Sequence, residues 1–340
     1  MNNAEAAVIV TVYNNEKFLR DTLESILSQK TSRPSCIILS DDGSTDSSRQ
    51  ICSDYAARYP SIQDITDGEH RGVTGNFLHC LKHAIDLNVK YISQIDSDDI
   101  LADPNFLDRQ ISFLESHPDA KAAASSFFLI SEKEDLASAR RLFDERTEDS
   151  SYKPILESIP DKSHGTVPRR TQYLLSRNNT LVAGGVTYRS DNLSKYLSEF
   201  ASAQDSTQDL PLWLYLSQFG RFFSCGVKSL AYRNLSESVS RSQDLETQLK
   251  FQESTLATRL RFIDYLRTIG NLKKNTLGFK CLGKLEDKAK LLYEKKMLRH
   301  YAKLQPKDYP SQLKQSLKKR PSLFFNKDLW RSLGVYLKNR

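Results

Sequence analysis

Long apolar runs are missing from this 340-residue chain. No stretch approaches the roughly 18 consecutive apolar residues that a membrane-crossing helix needs, so none is expected. Met1 to Ala7 lacks a basic region followed by an apolar stretch, so no secretory signal is expected there either. Cysteine is scarce and scattered. Cys36, Cys52, Cys80, Cys225 and Cys281 include no close pair that would clamp a metal, which points to reduced, buried thiols in a cytoplasmic protein. A Gly-x-Gly-x-x-Gly turn is also missing. Tyr13-Asn14-Asn15-Glu16 stands where a dinucleotide-dependent oxidoreductase would carry it. The glycine-rich basic loop of a sugar-phosphate nucleotidyltransferase is absent near the start of the chain. There is no internal repeat and no low-complexity segment.

Acidic residues are sparse in one part of the chain only. From Leu249 to Arg340 there are 23 Lys+Arg against 7 Asp+Glu, whereas the preceding residues hold 26 against 35. A mildly acidic body therefore carries a strongly basic tail, which suits an anionic partner such as a lipid surface or nucleic acid. The acidic body and its Asp clusters argue against nucleic acid.

The first hundred residues alternate strand and helix patterns. Ala7 to Tyr13 is a short β-branched run of the kind buried on both faces. Asn14 or Asn15 is placed to cap a helix whose apolar positions are Phe18, Leu19, Leu23, Ile26 and Leu27. Cys36 to Leu39 reads as a second strand, followed by a helix through about Arg58. A third strand near Ile62 to Thr66, a helix from about Gly75 to Leu87 and a fourth strand, Tyr91 to Ile95, complete a βαβαβαβ order. That order predicts an α/β fold with a mainly parallel sheet covered by helices. Beyond it, Phe106 to Ser116 reads as helix, Ala122 to Ile130 as one strand, and Lys133 to His164 as a charged loop. Asp209 to Phe219 carries a helical stripe ended by Gly220. Long helical patterns dominate from Leu245.

Ligands of open parallel sheets bind outside the carboxyl ends of the strands. Three strands end there in polar clusters: Thr11 to Asn14, Asp41-Asp42-Gly43-Ser44, and Asp96-Ser97-Asp98-Asp99. Three neighbouring carboxylates repel one another unless a cation or a hydrogen-bond network compensates. Hard oxygen donors suit Mg²⁺ or Mn²⁺, and a solvated acidic turn is the plain alternative. A calcium loop of the EF-hand type is excluded, because Leu101 stands at the position that requires glycine. Asp41-Asp42 also allows two readings: a capped strand-to-helix turn, or a carboxylate that accepts the imide N–H of a uracil-type base.

These segments resemble the family 2 glycosyltransferases of the GT-A fold. The resemblance rests on Val10-Thr11-Val12-Tyr13-Asn14-Asn15-Glu16, Ser40-Asp41-Asp42-Gly43-Ser44-Thr45-Asp46 and Asp96-Ser97-Asp98-Asp99. It extends through Gly72-Val73-Thr74-Gly75-Asn76-Phe77, Gly184-Gly185-Val186-Thr187-Tyr188-Arg189 and Gln208-Asp209-Leu210-Pro211-Leu212-Trp213. It spans about residues 6 to 240. It implies a catalytic domain over 1–243 and a basic helical region over 244–340. Carried over by position, Thr11, Tyr13, Asp41 and Asp42 would hold the nucleoside of a UDP- or dTDP-type sugar. Asp96 would face its ribose or diphosphate, Asp98 with Asp99 would hold Mn²⁺ or Mg²⁺, and Asp209 would be the general base. The implied reaction is an inverting transfer to a saccharide or lipid-linked acceptor in surface polysaccharide assembly. Leu235 departs from the family pattern, where a histidine is common, so Arg233 or Arg241 is the substitute contact for the diphosphate, with solvated surface as the plainer reading of both. His70, where asparagine is usual, reads as a polar loop residue near the donor.

The last segment mixes Lys and Arg with Leu317, Leu323, Phe324, Phe325, Leu329, Trp330, Val335, Tyr336 and Leu337. That mixture suits peripheral attachment to an anionic leaflet on the cytoplasmic side. The alternative is a helical appendage whose apolar stripe packs on the protein or on a second subunit. A non-catalytic relative acting through this tail is the other functional reading.

Overall fold

The apolar run at the start of the chain forms β1 (Ala6–Val12), buried at every position but the half-buried Thr11. The computed structural model describes residues 4–144, 151, 153–154, 167–177, 181–235, 242–270 and 277–339. The chain divides into two units: Met1–Lys162, Pro168–Thr171 and Asn179–Leu235 in the first, Ser163–Val167, Gln172–Asn178 and Ser236–Arg340 in the second.

In the first unit, α1 (Leu19–Leu27), β2 (Ser35–Asp41), α2 (Ser48–Arg58), β3 (Ile62–Asp64), α3 (Gly72–Asp86) and β4 (Tyr91–Asp96) follow β1. This is the alternation expected from the apolar spacing. β1 pairs in parallel with β2 on one side and β4 on the other, and β3 extends the sheet beyond β2. Val8, Val10 and Val12 pack against Leu19, Leu23 and Ile26 of α1 and Ile51 of α2. Burying each side chain of that size is worth about 1.5–3 kcal/mol, so this face of β1 anchors the core.

The remaining elements of this unit are β5 (Ile100–Leu101), α4 (Phe106–Ser116), β6 (Ala120–Ala124), β7 (Phe127–Ile130), α5 (Leu136–Asp144) and β8 (Lys153–Pro154). After α6 (Arg169–Ser176), which crosses the division, come β9 (Val186–Arg189), α7 (Leu193–Glu199), α8 (Asp209–Leu216), β10 (Arg221–Ser224) and β11 (Leu230–Arg233). The large sheet runs β3-β2-β1-β4-β9-β6-β10-β8, and β9 is antiparallel to both its neighbours. A second sheet has the order β5-β11-β7.

Two sequence-based expectations are corrected here. Ala122 to Ile130 is two strands in two sheets. The chain changes partner between adjacent residues: Ser125 N–H bonds to Gly185 O and Ser126 N–H to Val227 O, both at 2.8 Å. The charged segment from Lys133 holds a helix, α5, because Leu136, Ala139, Leu142 and Phe143 pack on Ile100, Phe128 and Ala231. α8 ends at Leu216, short of the expected Phe219, and Gly220 beyond it is a glycine for a steric reason. A Cβ there would lie 2.7 Å from Lys121 Cβ and 3.0 Å from Asp119 O.

The second unit is helical: α9 (Leu245–Ile269), α10 (Leu277–Leu304), α11 (Tyr309–Lys319) and α12 (Lys327–Asn339). Asp244 caps α9 by accepting Thr247 N–H at 2.7 Å. Arg259 of α9 is buried and spends its guanidinium on the carbonyls of Leu174 and Arg177. Leu298, Ala302, Tyr309 and Leu329 form the core between α10, α11 and α12. Among the described residues no helix is long and apolar enough to cross a membrane.

Candidate active site

The parallel register brings the polar strand ends together. Thr11 of β1 lies opposite Ser40 of β2 and opposite Asp96 of β4, and Val12 lies opposite Asp41. Beyond that line the loops are stitched to one another. Asn14, with φ at +51°, donates its N–H to Ser44 Oγ and accepts from Thr45 N–H, both at 2.8 Å. Asn15 donates its N–H to Ser48 Oγ at 2.8 Å and its side-chain amide to Ser97 Oγ at 2.7 Å. Glu16 accepts Ser47 N–H at 2.8 Å. The asparagines expected to cap α1 therefore do a different job, since the N-cap position is Phe18 and makes no side-chain bond.

The acidic turn after β4 is held from both sides. Thr22 of α1 sets its hydroxyl within 3.0 Å of Ser97 O and 2.8 Å of Asp99 O. From β11, Arg233 donates Nε to Asp98 O at 2.8 Å and its backbone N–H to Asp99 Oδ1 at 2.9 Å. Its Nη1 reaches the carbonyls of Ser131 and Glu134, and its guanidinium carbon lies 4.4 Å from the Phe18 ring centroid. Arg233 is 2% exposed. Arg233, expected to contact a diphosphate, thus spends Nε and Nη1 on carbonyls around the acidic turn and leaves Nη2 without a hydrogen-bond partner. Arg241 lies outside the described residues.

The three carboxylates separate by environment. Asp99 is buried, takes the Arg233 N–H on Oδ1, and leaves Oδ2 with no hydrogen-bond partner. A Cβ on Gly184 would sit 3.5 Å from that oxygen and 3.1 Å from Leu230, which places it on the core side. Asp99, expected beside Asp98 as a metal ligand, is thus a buried post of the turn with one carboxylate oxygen unpartnered. Asp98 and Asp96 are half-buried. Asp96 accepts from Gln94 Nε2 at 3.3 Å. Burial first, then the charge of Asp98, pushes Asp96 up to about 7, and the charge of Asp209 adds to it. Burial also raises Asp98, against the pull of Arg233. Burial raises Asp99 as well, helped by Asp98 and Asp96.

Arg233 offsets only part of the charge of this cluster. Among the described residues no group of three His, Cys, Asp or Glu side chains is arranged to enclose a metal. Asp96 and Asp98 fit an open site instead, since Mg²⁺-type ions commonly take one or two carboxylates and complete their shell with water and phosphate oxygens.

Asp209 is the first residue of α8, with Gln208 at the N-cap, and its Oδ1 accepts the Leu210 N–H at 2.6 Å. Its charge acts on Asp96, so β4 and α8 bring these two carboxylates into one field.

Of the two readings of Asp41-Asp42, the turn describes Asp41. Asp41 is buried. It accepts the N–H groups of Gly43 at 3.2 Å and Ser44 at 3.0 Å, and also the Ser44 hydroxyl. Its carboxylate, expected to contact the nucleoside, is engaged by its own turn. Gly43 suits that turn, because its φ is +80°. Asp42 accepts Arg71 N–H at 2.7 Å and faces His70 Nδ1 at 3.1 Å. Tyr13 is 48% exposed, and its ring centroid lies 5.2 Å from that of His70. Tyr13 and His70 thus form an open aromatic pair over Asp42. Below it, Asn76 of α3 exchanges two bonds with Ser40, at 2.7 and 2.9 Å. No local sequence signal marks these partnerships. A shallow hollow of about 700 Å³, lined by Lys90, Tyr91, Glu115 and Arg189, lies at the amino end of β4, away from the acidic cluster.

Known proteins resemble this chain in sequence and in fold. The family model for glycosyl transferase family 2 matches residues 7–193. EpsE of Bacillus subtilis (strain 168), provisionally named a glycosyltransferase, is 30% identical over 236 residues, which cover 69% of this chain and 71% of that protein. The minor teichoic acid biosynthesis protein GgaB of the same strain is 31% identical over 116 residues, covering 34% of this chain and 12% of GgaB. The chain spans about a third (32%) of the length of the mycobacterial relatives it matches, which are uncharacterized. Among solved structures, residues 1–349 of S. aureus TarS in complex with UDP-GlcNAc superpose with a TM-score of 0.50 at 16% identity. That match covers 99% of this chain and 91% of TarS 1–349.

Proposed function

From its place in glycosyl transferase family 2, to which this chain belongs, we propose that it moves a sugar from a UDP- or dTDP-type nucleotide sugar to an acceptor hydroxyl. The reading is carried by one observation: Asp96 and Asp98, short of positive charge, stand at the carboxyl end of β4 within the field of Asp209. The loop after β1 supplies the nucleoside platform. Tyr13 offers an exposed ring for base stacking, with His70 beside it and the half-buried Thr11 at the strand end. Asp42 holds the His70–Arg71 segment in place under that platform.

Mn²⁺ or Mg²⁺ held by Asp98, with Asp96 beside it toward the ribose or diphosphate, would supply the positive charge that a leaving diphosphate requires. Asp209 takes the proton from the acceptor hydroxyl. The freed oxygen electron pair attacks the anomeric carbon while the bond from that carbon to the diphosphate breaks, and the configuration inverts. A positioned base of this kind contributes roughly 10²–10⁴ in rate. The acceptor is a saccharide or lipid-linked hydroxyl compound of a surface polymer. This rests on the partial match to a teichoic acid biosynthesis protein.

The test is thermal stability with UDP, dTDP, GDP and CDP, each with and without Mn²⁺, on wild type and Asp98→Ala. A nucleotide at about 100 times its dissociation constant adds roughly 2.7 kcal/mol. One nucleotide should stabilise the wild type in a Mn²⁺-dependent way and leave the variant unmoved. A well-folded protein that answers to none of them would overturn the transferase reading.

A further inference from the structure

The basic tail divides its apolar residues between two faces. Leu323 and Leu329 are buried, and Leu317, Leu333 and Tyr336 pack against the core formed with Leu298, Ala302 and Tyr309. The stacked Tyr309 and Tyr336 rings, 4.9 Å apart, and the 2.8 Å bond between Tyr309 and Ser332 hydroxyls fasten α12 there. The apolar stripe thus satisfies the packing alternative, but not with all of its large side chains.

Three large side chains face out. Trp330 is 50% exposed, Phe324 51% and Leu337 62%. On α12 the positions exposed before the last residue, Asn339, are Lys327, Trp330, Arg331, Gly334, Leu337 and Lys338, which recur at helical spacing as one outward stripe. Phe324 joins it. Its ring meets the Trp330 ring edge-on at 5.3 Å, and its carbonyl accepts the indole N–H at 3.0 Å. The indole's polar atom is thereby satisfied by the protein, and its apolar faces are what solvent meets. The single acid of α12, Asp328, turns to Lys295 at 3.1 Å and Arg331 at 3.3 Å. Lys318 and Lys319, exposed in the last turn of α11, precede Phe324.

An exposed stripe that alternates large apolar and cationic side chains meets two demands at once. Water disfavours the rings, and the charges favour an anionic plane. We propose that the outer stripe of α12, with Phe324, docks on an anionic phospholipid surface, inserting Trp330 and Leu337 among the headgroups while Lys327, Arg331 and Lys338 meet the lipid phosphates. A second copy of this chain fits less well, because pairing the stripe with itself would bring like charges together.

The chain contains two tryptophans. Trp213 is buried at 1% exposure, so a change in emission on docking reports Trp330. The experiment uses the full chain with vesicles of phosphatidylcholine alone or mixed with phosphatidylglycerol, read by flotation and by tryptophan emission. Binding and a blue shift are expected with the anionic vesicles only, and both should weaken as salt rises. Trp330→Ala/Leu337→Ala and, separately, Lys327→Glu/Arg331→Glu should each lower vesicle affinity by roughly tenfold or more. All four positions are exposed, and circular dichroism with Trp213 emission checks folding. The proposal is overturned by a folded wild type that ignores anionic vesicles, by variants that bind as well as wild type, or by a concentration-dependent dimer that shields Trp330 without lipid.

Discussion

Arg233 donates its backbone N–H to Asp99 Oδ1 at 2.9 Å. Its guanidinium spans the carbonyls of Asp98, Ser131 and Glu134. One residue at the end of β11 thus fixes the backbone of the acidic turn and neutralises part of its charge. Arg233→Met should cost about 2–4 kcal/mol, since it strands carbonyls and a buried carboxylate that now share one cation. Chemical denaturation measures this. A residue that instead touched the diphosphate would, on substitution, leave stability intact and lower only nucleotide affinity.

Asp98 behaves in the opposite sense. Burial raises its pKa, so without a cation its charge is a burden to the fold. Asp98→Asn should leave the cation-free protein as stable as wild type or more so, by up to about 1–2 kcal/mol. The same variant should lose the Mn²⁺-dependent stabilisation by nucleotide. A matching loss of stability without Mn²⁺ would mean that Asp98 is part of the hydrogen-bonded frame.

How much of this was legible from residues alone follows from the range of the interactions. β1 and β4 announce themselves by apolar runs that end in polar residues, and parallel pairing then brings their ends together. Asp98 and Asp209 stand out by their positions in the family pattern, since a solvated acidic turn and a helix start account for them locally as well. Asp41 could not be told from Asp42, since both precede Gly43. Only the turn geometry shows that Ser44 and Gly43 occupy the first while His70 and Arg71, some thirty residues on, hold the second. Arg233 likewise looks like a surface arginine until the carbonyls of the segment 131–134 converge on it. The break at Ser125-Ser126 was hidden because both flanking stretches are apolar and β-compatible.

Asp96 carries the pH dependence. Its pKa is raised from 3.8 to about 7, chiefly by burial and next by Asp98. Between those values the folded chain holds a proton that the unfolded chain has released. Stability of the cation-free protein therefore falls as pH rises through that window and levels off above about 7. The slope for one such group is at most about 1.4 kcal/mol per pH unit. Subtracting the melting profile of Asp96→Asn isolates the effect. Added Mn²⁺ should stabilise the wild type most above about pH 7, where the carboxylate is free to receive it. Identical profiles for wild type and variant would remove Asp96 from this role.

Tyr13 separates binding from folding. Half of its surface is open, and its only ring neighbour among the described residues is His70. Tyr13→Ala should leave the melting temperature nearly unchanged. Losing one base-stacking ring costs about 1–3 kcal/mol, which is roughly tenfold or more in nucleotide affinity. Calorimetric titration with the nucleotide that the thermal panel selects measures it, and an unchanged affinity would move the base elsewhere.

Asp209 offers two independent readouts. As the base that accepts the acceptor's proton, its replacement in Asp209→Asn should lower kcat by roughly 10²–10⁴ while donor affinity stays close to wild type. As a charge in the field of Asp96, it also helps to hold that carboxyl above its ordinary value. Its neutralisation should let Asp96 ionise at lower pH and shift the pH at which Mn²⁺ and nucleotide begin to bind downward. The first effect alone would leave Asp209 as a base too weakly coupled to touch Asp96. The second alone, with turnover intact, would show that another group takes the proton and that Asp209 serves the electrostatics of the donor site.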